Sequence, residues 1–577
     1  MRRTVVRRVV GLGVVALAIG LSGRTAIKAH DEDDRDGNDR HVFRPGNMVV
    51  SRSVYAGDAA TVQVGQTLPP GCVAGTITLP VLGGGTTSVK VKCAKASADG
   101  TYPTVFGNDQ VDGSFGVTSP IFLDQLRPDG ALVSTLAVDP TRIVTSFSSK
   151  SELAVNLADN GESITFVGYA GGDASSPTAP NQLDVSNSNT PGVVDPTNPV
   201  VSQYYRAVAE IDRDGRLWIT DGNAYSGNNG RAAAKARGHY FMAGNDNNGG
   251  LSASQLTTTQ VGVNLITSTG AELLVPGQAP PVPPNISMIG DFEVTQVGYT
   301  KPDKPGKDNN FRGLRIFHDT LFVTKGSGGN GINTVYQVGE AGALRTLAPG
   351  TDLSTVPITI LPGFPSSLAS GVDQQGNPAP VAFPFGIWFA NSHTLYVADE
   401  GDGTFVAPPV NGNVADAATQ ATAGLQKWIL DPHTHNWHLA YTLQQGLNIG
   451  VPYSVANGPH GEVYPTNMNP APGGLRNLTG RVNRDGTVDL WAITSTLSAS
   501  CDQGADPNHL VFIRDRLENT SAEQAVHERF VVLRAAGYGE VLRGVSFTPG
   551  THSQDNDDDE GGGRTQLAAQ SREGRSR

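Results

Sequence analysis

The chain has 577 residues, rich in Gly (70) and Pro (37), with 17% charged residues and a formal net charge of −12. This composition suits a turn-rich β protein more than a helical enzyme. The acidic balance excludes nucleic acid as a default partner, because phosphate contacts want a basic face.

The chain opens on MRRTVVRR, followed by a short apolar run from Val9 to Leu21 and the small residues Ser22, Gly23, Ala26 and Ala29. This pattern predicts a signal peptide over 1–29 and hence a secreted or periplasmic protein; a membrane tether follows only if the segment stays uncleaved. The stretch HDEDDRDGNDR (30–40) is charge-dense and reads as a disordered acidic linker, and residues 551–577 read as a disordered polar tail. One long domain remains, 41–550.

Within it, Asn47–Tyr55 is the first strand. Val62–Thr101 is Gly- and Thr-rich and looks like an insertion or a decorated outer hairpin. Cys72 and Cys93 flank its strand-like stretch and would close a disulfide in an oxidising compartment or stay apart, with Cys501 left over. Strands follow at Ile121–Leu126, Ala131–Val138, Ile143–Phe147, Leu153–Ala158 and Ser163–Tyr169, with Asp129-Gly130 and Asn160-Gly161 as turn signals. Ala207–Asp221 and Val263–Val275 read as hairpins and Phe292–Tyr299 as a strand.

The clearest grammar lies in Phe311–Gly326 (FRGLRIFHDTLFVTKG) and Pro384–Gly401 (PFGIWFANSHTLYVADEG), each a strand, a tight polar turn and a strand. Leu425–Leu443, Tyr453–Tyr464, Leu478–Ala492, Phe530–Ala535 and Glu540–Phe547 continue the series; only Glu523–Glu528 reads as helical. Such recurrence predicts an all-β chain folded as a single β-propeller of six or seven four-stranded blades. Asn47–Tyr55 and Glu540–Phe547 are the natural pair to close it.

GIWF followed by LYVADEG, and GLRIF followed by LFVTKG, resemble NHL-repeat and gluconolactonase-like propellers across most of 41–550. The resemblance implies ligands or catalysis at one end of a central channel. In gluconolactonase-like members it also implies one divalent metal held by Glu, Asn and Asp, a set that cannot be carried onto these residues.

The loops that end the second strands are the candidate site: Asp399, Glu400 and Asp402 after LYVA, Lys325 after LFVT, and Asp221 with Asn223 after LWIT. Arg312, opening a first strand, is expected to line the channel, as are Phe385 and Tyr453. An acid, a base and an amide in matching positions would make a polar pocket for a small molecule, a glycan or a protein. Turn residues that merely satisfy backbone groups are the competing explanation. No metal is assigned, although Ca²⁺ or another divalent cation would suit carboxylates that converged from several loops. The cluster Asp431-Pro-His433-Thr-His435-Asn-Trp-His438 resembles a metal site in composition but sits at a hairpin tip, so exposed turn residues are expected there.

The sequence therefore leads to an exported, monomeric ligand-binding or protein-interaction module acting through loops at one channel end. A metal-dependent hydrolase or lactonase-like enzyme using channel-end carboxylates, and a membrane-tethered structural protein, stay open beside it.

Overall fold

The structure is a computed structural model that describes residues 41–80, 85–111, 115–149, 151–171, 178–183, 185–191, 193, 198–245, 262–266, 271–272, 286–290, 292–304, 307–347, 353–403, 422–498 and 504–552. The expected signal peptide, the acidic linker, most of the tail and Cys501 lie outside them. No described helix is long and apolar enough to cross a membrane.

The described chain is all-β and propeller-like. Six strands stand at the inner edges of the large sheets: β1 (Asn156–Leu157), β2 (Gly230–Ala236), β3 (Leu314–Phe317), β4 (Pro384–Asn391), β5 (Ala471–Val482) and β6 (Glu540–Phe547). Each packs against the next and β6 returns to β1, so the sheets close a ring. Five of the sheets, those begun by β2 to β6, are four-stranded blades, which corrects the expected six or seven. The sheet begun by β1 has five strands, because Ala271–Glu272 adds itself outside Leu217–Gly222. Val263–Val275 is therefore no hairpin: Gly262–Ile266 pairs with His239–Gly244 in the neighbouring blade.

The blade begun by β6 closes the ring. Met48–Val54 lies antiparallel between β6 and Ile121–Leu126, with Met48 opposite Phe547 and Val54 opposite Glu540. Chain ends far apart in sequence thus share one sheet, and the strand edges that a linear array would expose are paired.

Small residues let the six inner strands approach one another. They form a row, with Asn477 as its one larger member: Ala154, Ala232, Gly313, Gly386, Asn477 and Gly544. A Cβ at Gly386 would stand 2.6 Å from the Arg476 carbonyl oxygen, and one at Gly544 would stand 2.5 Å from Val155 N. Both obstacles are backbone and cannot swing aside, so only glycine fits at these close approaches. Gly544 N–H also donates to Ser51 Oγ (2.8 Å), whose hydroxyl donates to the Leu153 carbonyl (2.6 Å), tying the closing blade to its neighbour. Gly544→Ala is expected to cost about 1–3 kcal/mol by overpacking, read as a lower urea midpoint at unchanged slope.

Crowding near the axis also explains a strand that the sequence hides. Gly230–Ala236 (GRAAAKA) carries no β pattern, yet it is strand β2, with Ala232, Ala233, Ala234 and Ala236 all buried. Two other expectations are corrected. Val294–Val297 forms a 3₁₀ turn, and Tyr453–Tyr464 joins no ladder because its aromatic ends serve loop packing: Tyr453 lies tilted against His509 (4.1 Å) and Tyr464 meets Tyr102 edge to face (5.9 Å).

Outside the ring, Gly75–Pro80 and Thr86–Val91 form the outer hairpin, and Cys72 is disulfide-bonded to Cys93 across a Cα separation of 5.9 Å.

Candidate functional site

The residue before each small residue of the inner row defines one end of the channel. Going round, these are Leu153, Arg231, Arg312, Phe385, Arg476 and Arg543. Four of the six are arginines from four different blades, brought into register because the row of small residues is itself in register. All four are buried, between 3% and 9% exposed.

Each guanidinium is partly satisfied by neighbouring chain. Arg476 Nε donates to Glu400 Oε2 at 3.1 Å. Arg543 donates to the carbonyls of Phe147 and Ser149, and Arg312 to the hydroxyls of Ser151 and Ser327. Arg231 donates to the side chain of Asn310 and, at 3.2 Å, to the Phe311 carbonyl. Glu152, fully buried, accepts from the Tyr169 hydroxyl, from Asn229 Nδ2 (2.9 Å) and from Thr145 Oγ1 (3.1 Å). Beside Arg312 sits Lys325, whose ammonium donates to Asn333 Oδ1 (2.9 Å) and the Ser327 carbonyl (3.2 Å).

The cations outnumber the acids only narrowly. Four guanidinium groups and an amine meet the carboxylates of Glu152 and Glu400, with Asp308 and Asp303 also acting on Lys325, and burial pushes the Glu152 carboxyl above its ordinary range. Burial, reinforced by Arg312, pulls the Arg231 guanidinium well down; burial pulls Arg312 to about 10. Burial and then Arg312 bring the Lys325 ammonium to about 7. The cations are held in a poor solvent for charge and repel one another. Three buried donors here meet no protein acceptor: Arg231 Nε, Arg312 Nε and Asn333 Nδ2. Unsatisfied buried groups are rare in native proteins, and a set made only of donors calls for an acceptor from outside the chain.

Of the residues singled out in the sequence, Arg312, Lys325 and Glu400 meet at this end. Asp399 does not join them. Its carboxylate accepts the N–H groups of Phe383 (2.8 Å) and Gly401 (2.9 Å), which holds the turn, and burial raises it to about 6. Asp402 is exposed. Asp221 lies on the fourth strand of the five-stranded sheet, away from the inner row, where burial raises it to about 7. Asn223 follows that strand, its carbonyl accepting from Thr190 Oγ1 (2.7 Å). Phe385 occupies a position of the row, whereas Tyr453 lies in a loop and donates to the Pro507 carbonyl (2.5 Å). Arg231, Arg476, Arg543 and Glu152 were missed. Arg231 and Arg543 share with Arg312 the pattern of an Arg before a small residue at the head of an apolar run (Arg231-Ala232, Arg312-Gly313 and Arg543-Gly544), whereas Arg476 and Glu152 carry no such signal.

Of the carboxylates expected to hold a cation, Glu400 is thus paired with Arg476 and Asp399 holds its own turn, while Asp402 is exposed and Asp221 lies on another strand, and the arginines at this end oppose a divalent cation. Among the described residues no three His, Cys, Asp or Glu side chains are grouped for a metal. His433 and His435 are exposed at the tip, where Asp431 Oδ1 accepts the His433 N–H at 2.7 Å. Replacing both with Ala is expected to change stability by less than about 0.5 kcal/mol in urea unfolding.

No protein-family model matches the chain, and no curated protein matches it. Several solved structures match. A protein from Bacteroides uniformis, provisionally assigned as a 6-phosphogluconolactonase, is 10% identical over 74% of this chain and 95% of its own, with a TM-score of 0.29. Cobalt-substituted Synechocystis ACO is 9% identical over 84% of this chain and 66% of its own, and an ACO/RPE65 chimera 9% over 82% and 64%, both at a TM-score of 0.21. Likenesses this distant carry no argument about what this chain does.

Proposed function

We propose that this chain is an exported binding protein that holds a small anion at the arginine-rich end of its propeller channel. The carrying observation is the set of four buried arginines from four blades, with the Nε donors of Arg231 and Arg312 left without acceptors. A guanidinium offers a rigid fork of donors that fits carboxylate, phosphate or sulfate oxygens, and its charge strengthens each bond in a poorly solvated site. Donors from several guanidinium groups suit an oxyanion such as a phosphate monoester or a dicarboxylate.

The hydrolase reading needs carboxylates free to bind a cation or act on a substrate, and here Glu400 is committed to Arg476. Thermal unfolding of the full chain with millimolar sulfate, phosphate or succinate, and separately with Ca²⁺, Mg²⁺ or Zn²⁺, distinguishes the two. A rise in Tm with the anions that is lost in Arg312→Met is the expected result. A rise with the divalent cations and none with the anions would overturn the proposal.

The Lys325 shift gives the reading a pH signature. Below about pH 7 the ammonium is charged in the folded protein and adds to the attraction; above it, the charge is lost. Phosphate-site affinity, probed with sulfate because its charge is constant over this range, is expected to weaken as pH rises from 6 to 8. In Lys325→Met the affinity should be lower at pH 6 and nearly level across the same interval.

A further inference from the structure

The other end of the channel carries a second, separate feature. Three positions further along each inner strand than the arginine row come Asn156, Ala234, Arg315, Trp388, Thr479 and Ser546. All six line one cavity of about 300 Å³, at the lower end of the range for small-molecule sites.

Four of the six are small or short. The two large ones, Arg315 on β3 and Trp388 on β4, are neighbours in the ring, so one wall of the cavity joins a cation to an aromatic face. Trp388 is fixed in place: it is 3% exposed, and its ring lies so close over Gly480 that a Cβ there would come within 2.8 Å of it. Phe389 adds a second ring to the lining, and Arg481 a second guanidinium. Arg481 donates to Asp489 Oδ2 at 3.0 Å, while its buried Nε meets no acceptor. The one carboxylate in the lining is Asp159, and its Oδ2 is engaged by the Arg237 N–H at 2.8 Å.

We propose that this cavity binds a small planar aromatic carboxylate, its ring against Trp388 and Phe389 and its carboxylate toward Arg315 and Arg481. The ring supplies apolar area and stacking, and the guanidinium fork reads two coplanar oxygens. Neutral and cationic aromatics of the same size lose the second contribution. The cavity is distinct from the arginine end, and neither proposal depends on the other.

Benzoate, benzyl alcohol and benzylamine are the probes, titrated into the full chain with tryptophan fluorescence and calorimetry as readouts. Saturable binding of benzoate is expected, at least tenfold tighter than benzyl alcohol, with no binding of benzylamine. Arg315→Met should weaken benzoate at least tenfold. Ala234→Leu, which fills the cavity, should abolish binding, and Arg312→Met at the other end should leave it unchanged. Should Ala234→Leu fail to fold, Arg315→Met and the probe series still decide the matter. The proposal is overturned if benzoate shows no saturable response, if benzyl alcohol binds equally, or if the loss follows Arg312 instead of Arg315.

Discussion

Glu400→Gln is expected to lower the unfolding free energy by about 3–5 kcal/mol, the usual cost of deleting one partner of a buried ion pair. Glu400 is 4% exposed and Arg476 3%, and the two are in contact at 3.1 Å. Neutralising the carboxylate removes the charge that faces Arg476 and that also steadies Arg312 and Arg231. Gln keeps the shape and one acceptor oxygen, so the loss reads the charge rather than a cavity. Urea unfolding measures it. Added sulfate should recover part of the loss, because an anion in the cluster would take over the missing charge. A cost under about 1 kcal/mol would mean the pair behaves as a solvated surface bridge.

Trp388→Ala is the second large effect, about 3–5 kcal/mol by the scale for buried aromatic truncation. Trp388 packs with Tyr396 (6.1 Å between ring centres) and with Leu475, Leu478 and Leu490 of the adjoining blade, so it joins two sheets rather than filling one. Truncation would enlarge a space that already exists beside it, and the rigid backbone at Gly480 offers little to collapse into the gap. Calorimetric unfolding should show it. A loss near 1 kcal/mol would show that the neighbouring sheets relax around the missing ring.

The strand grammar that marks a propeller was legible where two apolar runs meet at a polar turn, as in Phe311–Gly326 and Pro384–Gly401. It failed where strands lie closest to the axis. There the packing demands small residues, and a run such as GRAAAKA carries no β signature of its own. Blade counting failed for a related reason. Ala271–Glu272 pairs with Leu217–Gly222 across the blade boundary, a choice made by the sheets and invisible in a local pattern.

The candidate site was legible in part. Lys325 and Glu400 stood out as charged residues ending strands. Yet neighbours with the same local look diverged in the fold, Asp399 turning into its own loop and Asp221 falling on an outer strand. Arg231, Arg476 and Arg543 could have been found only by aligning inner strands of different blades. Their spacing in sequence is irregular because the loops between blades vary in length. What unites them is a register set by backbone approach at the row from Ala154 to Gly544.

The most direct test is a crystal of the protein grown or soaked with selenate, a tetrahedral dianion whose selenium scatters anomalously. The predicted result is a single strong peak with oxygens in hydrogen-bond range of Arg231 Nε and Arg312 Nε. A map with no anomalous peak among the four arginines at saturating selenate would contradict anion binding at this end of the channel.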